Sequence, residues 1–194
     1  MTPISAFSTA PAPSTDESSA RTAIDIRRVP GMRKFAADYA FNFDALAPFF
    51  NGNPAERQAW ADAIARAQSH RRNRDGIADV LAAQQRRRRA PDAACEAAAR
   101  LRDPRTVAVV TGQQAGLFGG PLFTLLKALT AVRLAAEVER DHGVPTVAVF
   151  WVEAEDHDWN EVRSATVFDK EMSEASVALP ARAAGDQSPV GSVC

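Results

Sequence analysis

The pattern of apolar and polar positions changes character near residue 105. Before it, apolar residues recur at helical spacing; after it, short β-branched runs flank one long helical stretch. Residues 1–20 are rich in Ser, Thr, Pro and Ala, show no period, and read as a disordered leader. Residues 21–104 read as a mainly helical region. Ile24–Pro30 is expected to be a short extended segment, and Phe35–Phe50 a helix and turn whose six aromatic rings (Phe35, Tyr39, Phe41, Phe43, Phe49, Phe50) belong to a core. Three helices follow. The first is expected to start at Asn53-Pro54-Ala55-Glu56, with Asn53 as cap, Pro54 at the first helical position and Glu56 reaching back. Trp60, Ile64 and Ala67 then share its inner face. The second covers Asp75–Arg89 with Ile77, Val80 and Leu81 inward, and the third runs from Pro91 to Leu101 with alanine inside.

Thr106–Val110 has the β-branched, apolar composition of a buried parallel strand. Thr111–Gly120 reads as a glycine-rich loop, Pro121 to Arg140 as a helix with Gly143 beyond its end, and Thr146–Val152 as a second buried strand. Together they predict a β-loop-α-β unit with a right-handed crossover. On the helix, Leu122, Leu125, Leu126, Leu129 and Val132 are the expected core side, while Gly120, Thr124 and Lys127 share another face. Arg163–Phe168 and Ser176–Leu179 read as further strands. The closing run Val190–Cys194 reads as the start of another. The predicted class is α/β, with residues 105–194 as the first part of a parallel-sheet core that is incomplete here. The chain is expected to be the N-terminal piece of a longer enzyme and to be inactive alone.

Strand direction locates the chemistry. The loops after two parallel strands leave the sheet on one edge, about 5 Å apart for neighbours and about 10 Å with one strand between. Thr111–Gly120 should therefore lie beside Glu153–Asp158, at the edge where open α/β sheets bind ligands. The ligand-binding candidates on the first loop are Thr111, Gly112, Gln113, Gln114, Gly119 and Gly120. Glycine allows close backbone approach, and each glutamine amide both donates and accepts. The helix start after Gly120 favours a phosphate or carboxylate, with the N–H groups of Leu122 and Phe123 free. Thr124 lies on that side of the helix. Lys127 reads in two ways: an ammonium brought back toward the glycine loop, or an ordinary exposed lysine with its stem along the helix. The loop has neither the phosphate-loop nor the dinucleotide spacing, so alone it is a weak signal.

The second loop packs four carboxylates and one histidine into six residues, Glu153–Asp158. Asp156 and His157 are the candidate acid/base pair, and Glu155 and Asp158 candidate substrate contacts. A hard cation such as Mg²⁺ is a second use of such a cluster, and a solvated acidic turn is the plain one. Its position at the end of a buried strand favours function. No second His or Cys group has the spacing for zinc, and His70 and His142 read as structural.

Composition adjusts this picture little. A hydrophobic fraction of 46% supports a real core, and a net charge of −1 argues against a general nucleic-acid binder. The arginine clusters Arg71, Arg72, Arg74 and Arg86–Arg89 read as solvated helix ends, or as a polyanion site that lacks interleaved aromatics. The two cysteines, Cys95 and Cys194, form no framework and fit a reducing compartment, with Cys95 a small buried hydrophobe. The first twenty residues lack a signal-peptide pattern, and the apolar run Val144–Val152 is too short to span a bilayer, so a cytoplasmic protein without a membrane partner is expected.

The run VVTGQQAGLFGGPLFTLLKALTAVRLA, then VPTVAVFWVEAEDHDWNEV, with DYAFNFDALAPFF before them, resembles the bacillithiol biosynthesis cysteine-adding enzyme family, BshC. The resemblance runs from about Ile24 onward. It implies a Rossmann-like catalytic core with inserted connecting segments and a helical coiled coil in a longer, homodimeric protein. It also implies cysteine and glucosaminyl-malate as substrates, with ATP or ADP and Mg²⁺ as the cofactors such a ligation could draw on. Ala115 stands where proline is common in the family, and Phe123 and Leu126 where tyrosines are common. The core also resembles nucleotidylyltransferases and class I aminoacyl-tRNA synthetases, whose His-x-Gly-His has no counterpart in Gly116–Gly120. That speaks against adenylation, although ligation requires some activation. A nucleotidyltransferase-like or metal-dependent hydrolase, and a non-catalytic nucleotide-binding module, remain the alternatives.

Overall fold

The change of pattern near residue 105 is a change of architecture. The computed structural model describes residues 24–193; the expected leader at 1–20 and Cys194 lie outside the described residues. The chain divides into two compact units, Met1–His70 and Arg71–Cys194.

In the first unit, Ile26–Arg28 forms a 3-10 turn rather than an extended segment, because the Asp25 carboxylate accepts from the Arg27 N–H at 3.0 Å. Helix α1 spans Lys34–Phe41 and α2 spans Arg57–Ser69. Four of the six predicted rings cluster: Tyr39, Phe43 and Phe50 lie 5.2–5.8 Å apart between centroids, with Phe35 at 6.3 Å from Phe50. Phe41 lies outside the cluster beneath the Arg27 guanidinium, and Phe35, Tyr39, Phe41, Phe49 and Phe50 are all exposed, so the rings do not form the buried core expected of them. The first long helix starts later than expected. Asn53 Oδ1 accepts from the Ala55 N–H at 3.0 Å and the Asn53 carbonyl from the Glu56 N–H at 2.9 Å. Asn53 thus closes a separate turn, and α2 begins after Glu56. The Trp60 indole, donating to the Pro54 carbonyl at 2.8 Å, ties this turn to the helix. Ile64 is buried with Trp60 and Ala67 beside it half-buried, as the periodicity predicts.

The second unit opens with a packed helix pair, α3 (Arg74–Arg87) and α4 (Asp92–Arg100). Asn73 caps α3 through the Gly76 N–H at 3.0 Å. The packed face is the small one, with Ala78 and Ala98 buried, while Ile77 and Val80 are exposed, against expectation. Cys95 is half-buried rather than buried. Arg74 leaves the solvated cluster assigned to it: Nη1 donates to the carbonyls of Leu101, Asp103 and Thr106 at 3.0–3.2 Å. This fixes the turn out of α4 into the sheet, helped by buried Thr106, whose hydroxyl donates to the Arg100 carbonyl.

Strands β1 (Val107–Gln114) and β2 (Thr146–Glu153) pair in parallel, from Val107 opposite Thr146 to Gln114 opposite Glu153. Between them runs α5, Leu122–His142, with Pro121 as N-cap and Gly143 in the left-handed conformation beyond its end. The Gly143 N–H closes the helix on the Glu139 carbonyl at 2.9 Å. Its buried residues are Ala131, Ala135 and Val138. The predicted core stripe of Leu122, Leu125, Leu126, Leu129 and Val132 is 52–71% exposed. Small side chains let α5 approach the strands, so the alanine face is the inner one and the leucine face is turned outward.

Short helix α6 (Trp159–Val162) leads into an antiparallel hairpin, β3 (Ser164–Phe168) and β4 (Glu174–Ala178). Val190–Val193 is a 3-10 turn, not a strand. Even so, the Val190 and Gly191 N–H groups donate to the carbonyls of Asp156 and Ala154, each at 2.8 Å. No helix among the described residues is long and apolar enough to cross a membrane.

Candidate active crevice

Strand β1 runs four residues beyond its predicted end, through Thr111, Gly112, Gln113 and Gln114, so the first four residues of the expected loop are strand. Gly112 is needed there for packing: a Cβ at this position would stand 2.7 Å from the Trp151 carbonyl oxygen on β2. Thr111 pairs with Phe150 inside the ladder, three residues short of the strand end. The true loop is Ala115–Pro121. The Gly119 and Gly120 N–H groups are spent within it, on the carbonyls of Gly116 and Leu117 at 3.0 Å. Gly119 and Gly120 have φ of 88° and 82°, which side chains other than glycine rarely adopt.

The long strand brings the two loops together. Gln113 and Gln114 stand opposite Val152 and Glu153, and the acidic loop follows at once. The Gln114 amide donates through Nε2 to Asp156 Oδ2, a direct bridge between the loops. Asp156 Oδ1 accepts from the N–H groups of His157 at 2.6 Å and Asp158 at 3.0 Å. The Asp158 N–H and the Gln114 amide hold the Asp156 carboxyl below its ordinary range, with the His157 N–H adding to them. Asp158 in turn caps α6 through the Glu161 N–H at 3.1 Å. The Glu155 N–H bonds Glu153 Oε1 at 3.0 Å, leaving the exposed Glu155 carboxylate facing solvent. His157 is exposed beside it.

Lys127 reaches back along α5 to the strand end. Its Nζ donates to Gln113 Oε1 at 2.9 Å and to the Gly112 carbonyl at 3.2 Å, and lies 4.7 Å from the Phe123 ring centre. Thr124, at the start of the same helix, has a buried hydroxyl oxygen without a hydrogen-bond partner. A Cβ on Gly120 would come within 2.9 Å of that oxygen. Two hollows adjoin the site. One of about 20 Å³, room for a single water, is lined by Gln113, Gln114, Gly116, Gly120, Glu161 and Ser164 among others. The other, about 290 Å³, lies between His157–Asn160 and Ala181–Gln187.

The wall at Ala181–Gln187 and the residues that hold it had no sequence signal. Arg182 stacks over the Trp159 ring at 4.4 Å and donates to the Pro189 carbonyl at 3.2 Å, while the Trp159 indole donates to the Pro180 carbonyl at 2.9 Å. The two pairs made by Trp159 join residues more than twenty apart through a hairpin, so spacing alone could not reveal them. No group of three His, Cys, Asp or Glu side chains among the described residues converges on a metal position.

Residues 21–194 match the family model described as bacillithiol biosynthesis BshC, N-terminal Rossmann-like domain. Similar curated proteins carry the name "Putative cysteine ligase BshC". The one from Halalkalibacterium halodurans is 40% identical over 134 residues, 69% of this chain and 25% of that protein. That from Salinibacter ruber is 42% identical over 130 residues, 67% of this chain and 24% of its own length. That from Solibacter usitatus is 36% identical over 165 residues, 85% of this chain and 30% of its own. The chain spans about a quarter of the length of the relatives it matches.

Proposed function

Because the chain belongs to the BshC family of bacillithiol biosynthesis, matching its N-terminal Rossmann-like domain, we propose that it supplies the crevice floor of a cysteine ligase. The reaction joins the cysteine carboxyl to the amine of glucosaminyl-malate. One observation carries the reading: the family match spans both loops, and these are bridged by Gln114 and Asp156 at one sheet edge. The reading brings with it a cytoplasmic protein, small-molecule substrates and a homodimeric full-length form.

Amide formation removes one carboxylate oxygen, which must leave on an activating group; a nucleotide is the donor we assign. Its anionic part, or a substrate carboxylate, fits the start of α5. There the first N–H groups of the helix, those of Leu122 and Phe123, have no intrahelical partner, and the Thr124 hydroxyl lacks one too. The acidic loop does not fit Mg²⁺ on protein ligands alone, since both Asp156 oxygens already accept hydrogen bonds. Asp156 acts by holding the loops together, and its lowered pKa suits a fixed acceptor better than a base. His157 is the group that moves a proton, taking it from the attacking amine. Gln113 and Gln114 orient substrate, and Glu155 and Asp158 attract the amine.

The full-length protein, incubated with cysteine, glucosaminyl-malate and ATP, should form a product whose mass is the sum of both substrates less water. His157→Ala should lower turnover about 100-fold or more at unchanged thermal stability. Absence of a cysteine-dependent product would sink the reading.

A further inference from the structure

An amide carries an acceptor on one side and donors on the other, so its orientation decides what it can recognise. At the end of β1 two adjacent amides are oriented by partners that allow only one choice. The Lys127 ammonium has donors only, so the Gln113 oxygen, 2.9 Å from Nζ, must face it, and the Gln113 NH₂ must face away. The Asp156 carboxylate has acceptors only, so Gln114 must give it the amide nitrogen and keep its oxygen for another partner. Both residues border the small hollow at Gly116 and Gly120, which has room for about one water. Lys127 is itself half-buried, with two protons engaged on Gln113 and Gly112 and its charge against the Phe123 ring. It is therefore spent on the protein and poorly placed to meet an anion directly.

We infer that Lys127 is a positioning residue that fixes Gln113 as a hydrogen-bond donor to substrate, while Asp156 fixes Gln114 as an acceptor. Substrate then meets a donor at Gln113 and, on the other face of the strand, an acceptor at Gln114. The donor at Gln113 suits the carboxylate of an amino acid. That the amino acid is cysteine rests on the ligase reading; the role of Lys127 does not.

The test compares Gln113→Glu, Lys127→Met, Lys127→Arg and the Gln113→Glu/Lys127→Met pair in the full-length protein. Cysteine binding is followed by calorimetry and folding by thermal melting. Gln113→Glu keeps the contact to Lys127 as an ion pair but replaces the outward donor by an acceptor. It should melt no lower than wild type yet bind cysteine about ten-fold more weakly or worse. Lys127→Met should weaken binding equally at low and high salt, Lys127→Arg should restore most of it, and the double variant should bind no worse than Gln113→Glu alone. Wild-type binding by Gln113→Glu would overturn the inference. So would additive losses, with the Lys127→Met effect shrinking as salt rises, because that is the signature of a direct charge contact. If wild type binds no cysteine, the ligase reading fails instead. The melting cycle then decides: non-additive melting temperatures for the two substitutions sustain the Lys127–Gln113 coupling, and additive ones overturn it.

Discussion

Two residues of the crevice do work that their types alone do not announce. Gly112 invites reading as room for a ligand, yet its bare Cα is where β1 passes the Trp151 backbone. Gly112→Ala should cost about 1–3 kcal/mol in chemical denaturation, since a strand pair cannot spread at one position without losing neighbouring bonds. An unchanged midpoint would show that the strands do not meet so closely. Asp156 is legible as functional but not as a bridge. Asp156→Asn leaves one acceptor oxygen and puts an NH₂ toward the Gln114 NH₂. Gln114 should then turn over and lose its acceptor for substrate. We expect KM for cysteine to rise with the fold retained, and an unchanged KM would count against the bridge.

Among the elements, those whose ends carry strong punctuation were readable and those defined by packing were not. Pro121 and Gly143 bound α5 within two residues of expectation, because both act on the backbone locally. The two strands, their parallel pairing and the meeting of their loops likewise follow from β-branched runs around a crossover helix. The inner face of α5 did not follow. Hydrophobicity says that a stripe wants burial, not which of two stripes the sheet takes. The strands took Ala131 and Ala135 over the leucines. The extension of β1 was missed because TGQQ carries loop residues; Gly112 and the ladder to β2 overrule that composition. Arg74 shows the same limit, since its three carbonyl partners lie 27 to 32 residues away. Arg74→Met should destabilise the second unit by about 2–4 kcal/mol, read from denaturant melts. The α4–α5 link adds a pH signature. Glu139 bonds Arg100 at 2.7 Å, and that pairing is the main cause holding its carboxyl below the ordinary 4.5. A depressed carboxylate stabilises the fold above its unfolded value and loses that contribution as pH falls through the folded one. The melting advantage of wild type over Glu139→Gln should persist at neutral pH, begin to shrink below pH 4.5 and vanish once pH has fallen through the lower folded value.

At the scale of the whole molecule, the leucine stripe of α5 is the largest consequence of that inverted face. Leu122, Leu125, Leu126, Leu129 and Val132 lie more than half exposed on one side of a 21-residue helix. Expressed as these 194 residues, the protein should self-associate with rising concentration in sedimentation experiments. Leu125→Glu with Leu129→Glu should reduce that association, and no change would mean the stripe is not the sticky surface.

The return of Gly191 to Ala154 has another consequence. The excursion that carries α6 and the β3–β4 hairpin leaves the sheet edge and comes back to it at the same place. A segment closed on itself in this way behaves as a module. Its tip, between Phe168 and Glu174, can lengthen or shorten without moving the crevice, because closing a longer loop costs only about 0.6 kcal/mol per doubling. Evolution can therefore remodel one rim of the crevice independently of the glutamines and carboxylates at its floor, and a designer could exchange that rim while keeping the floor.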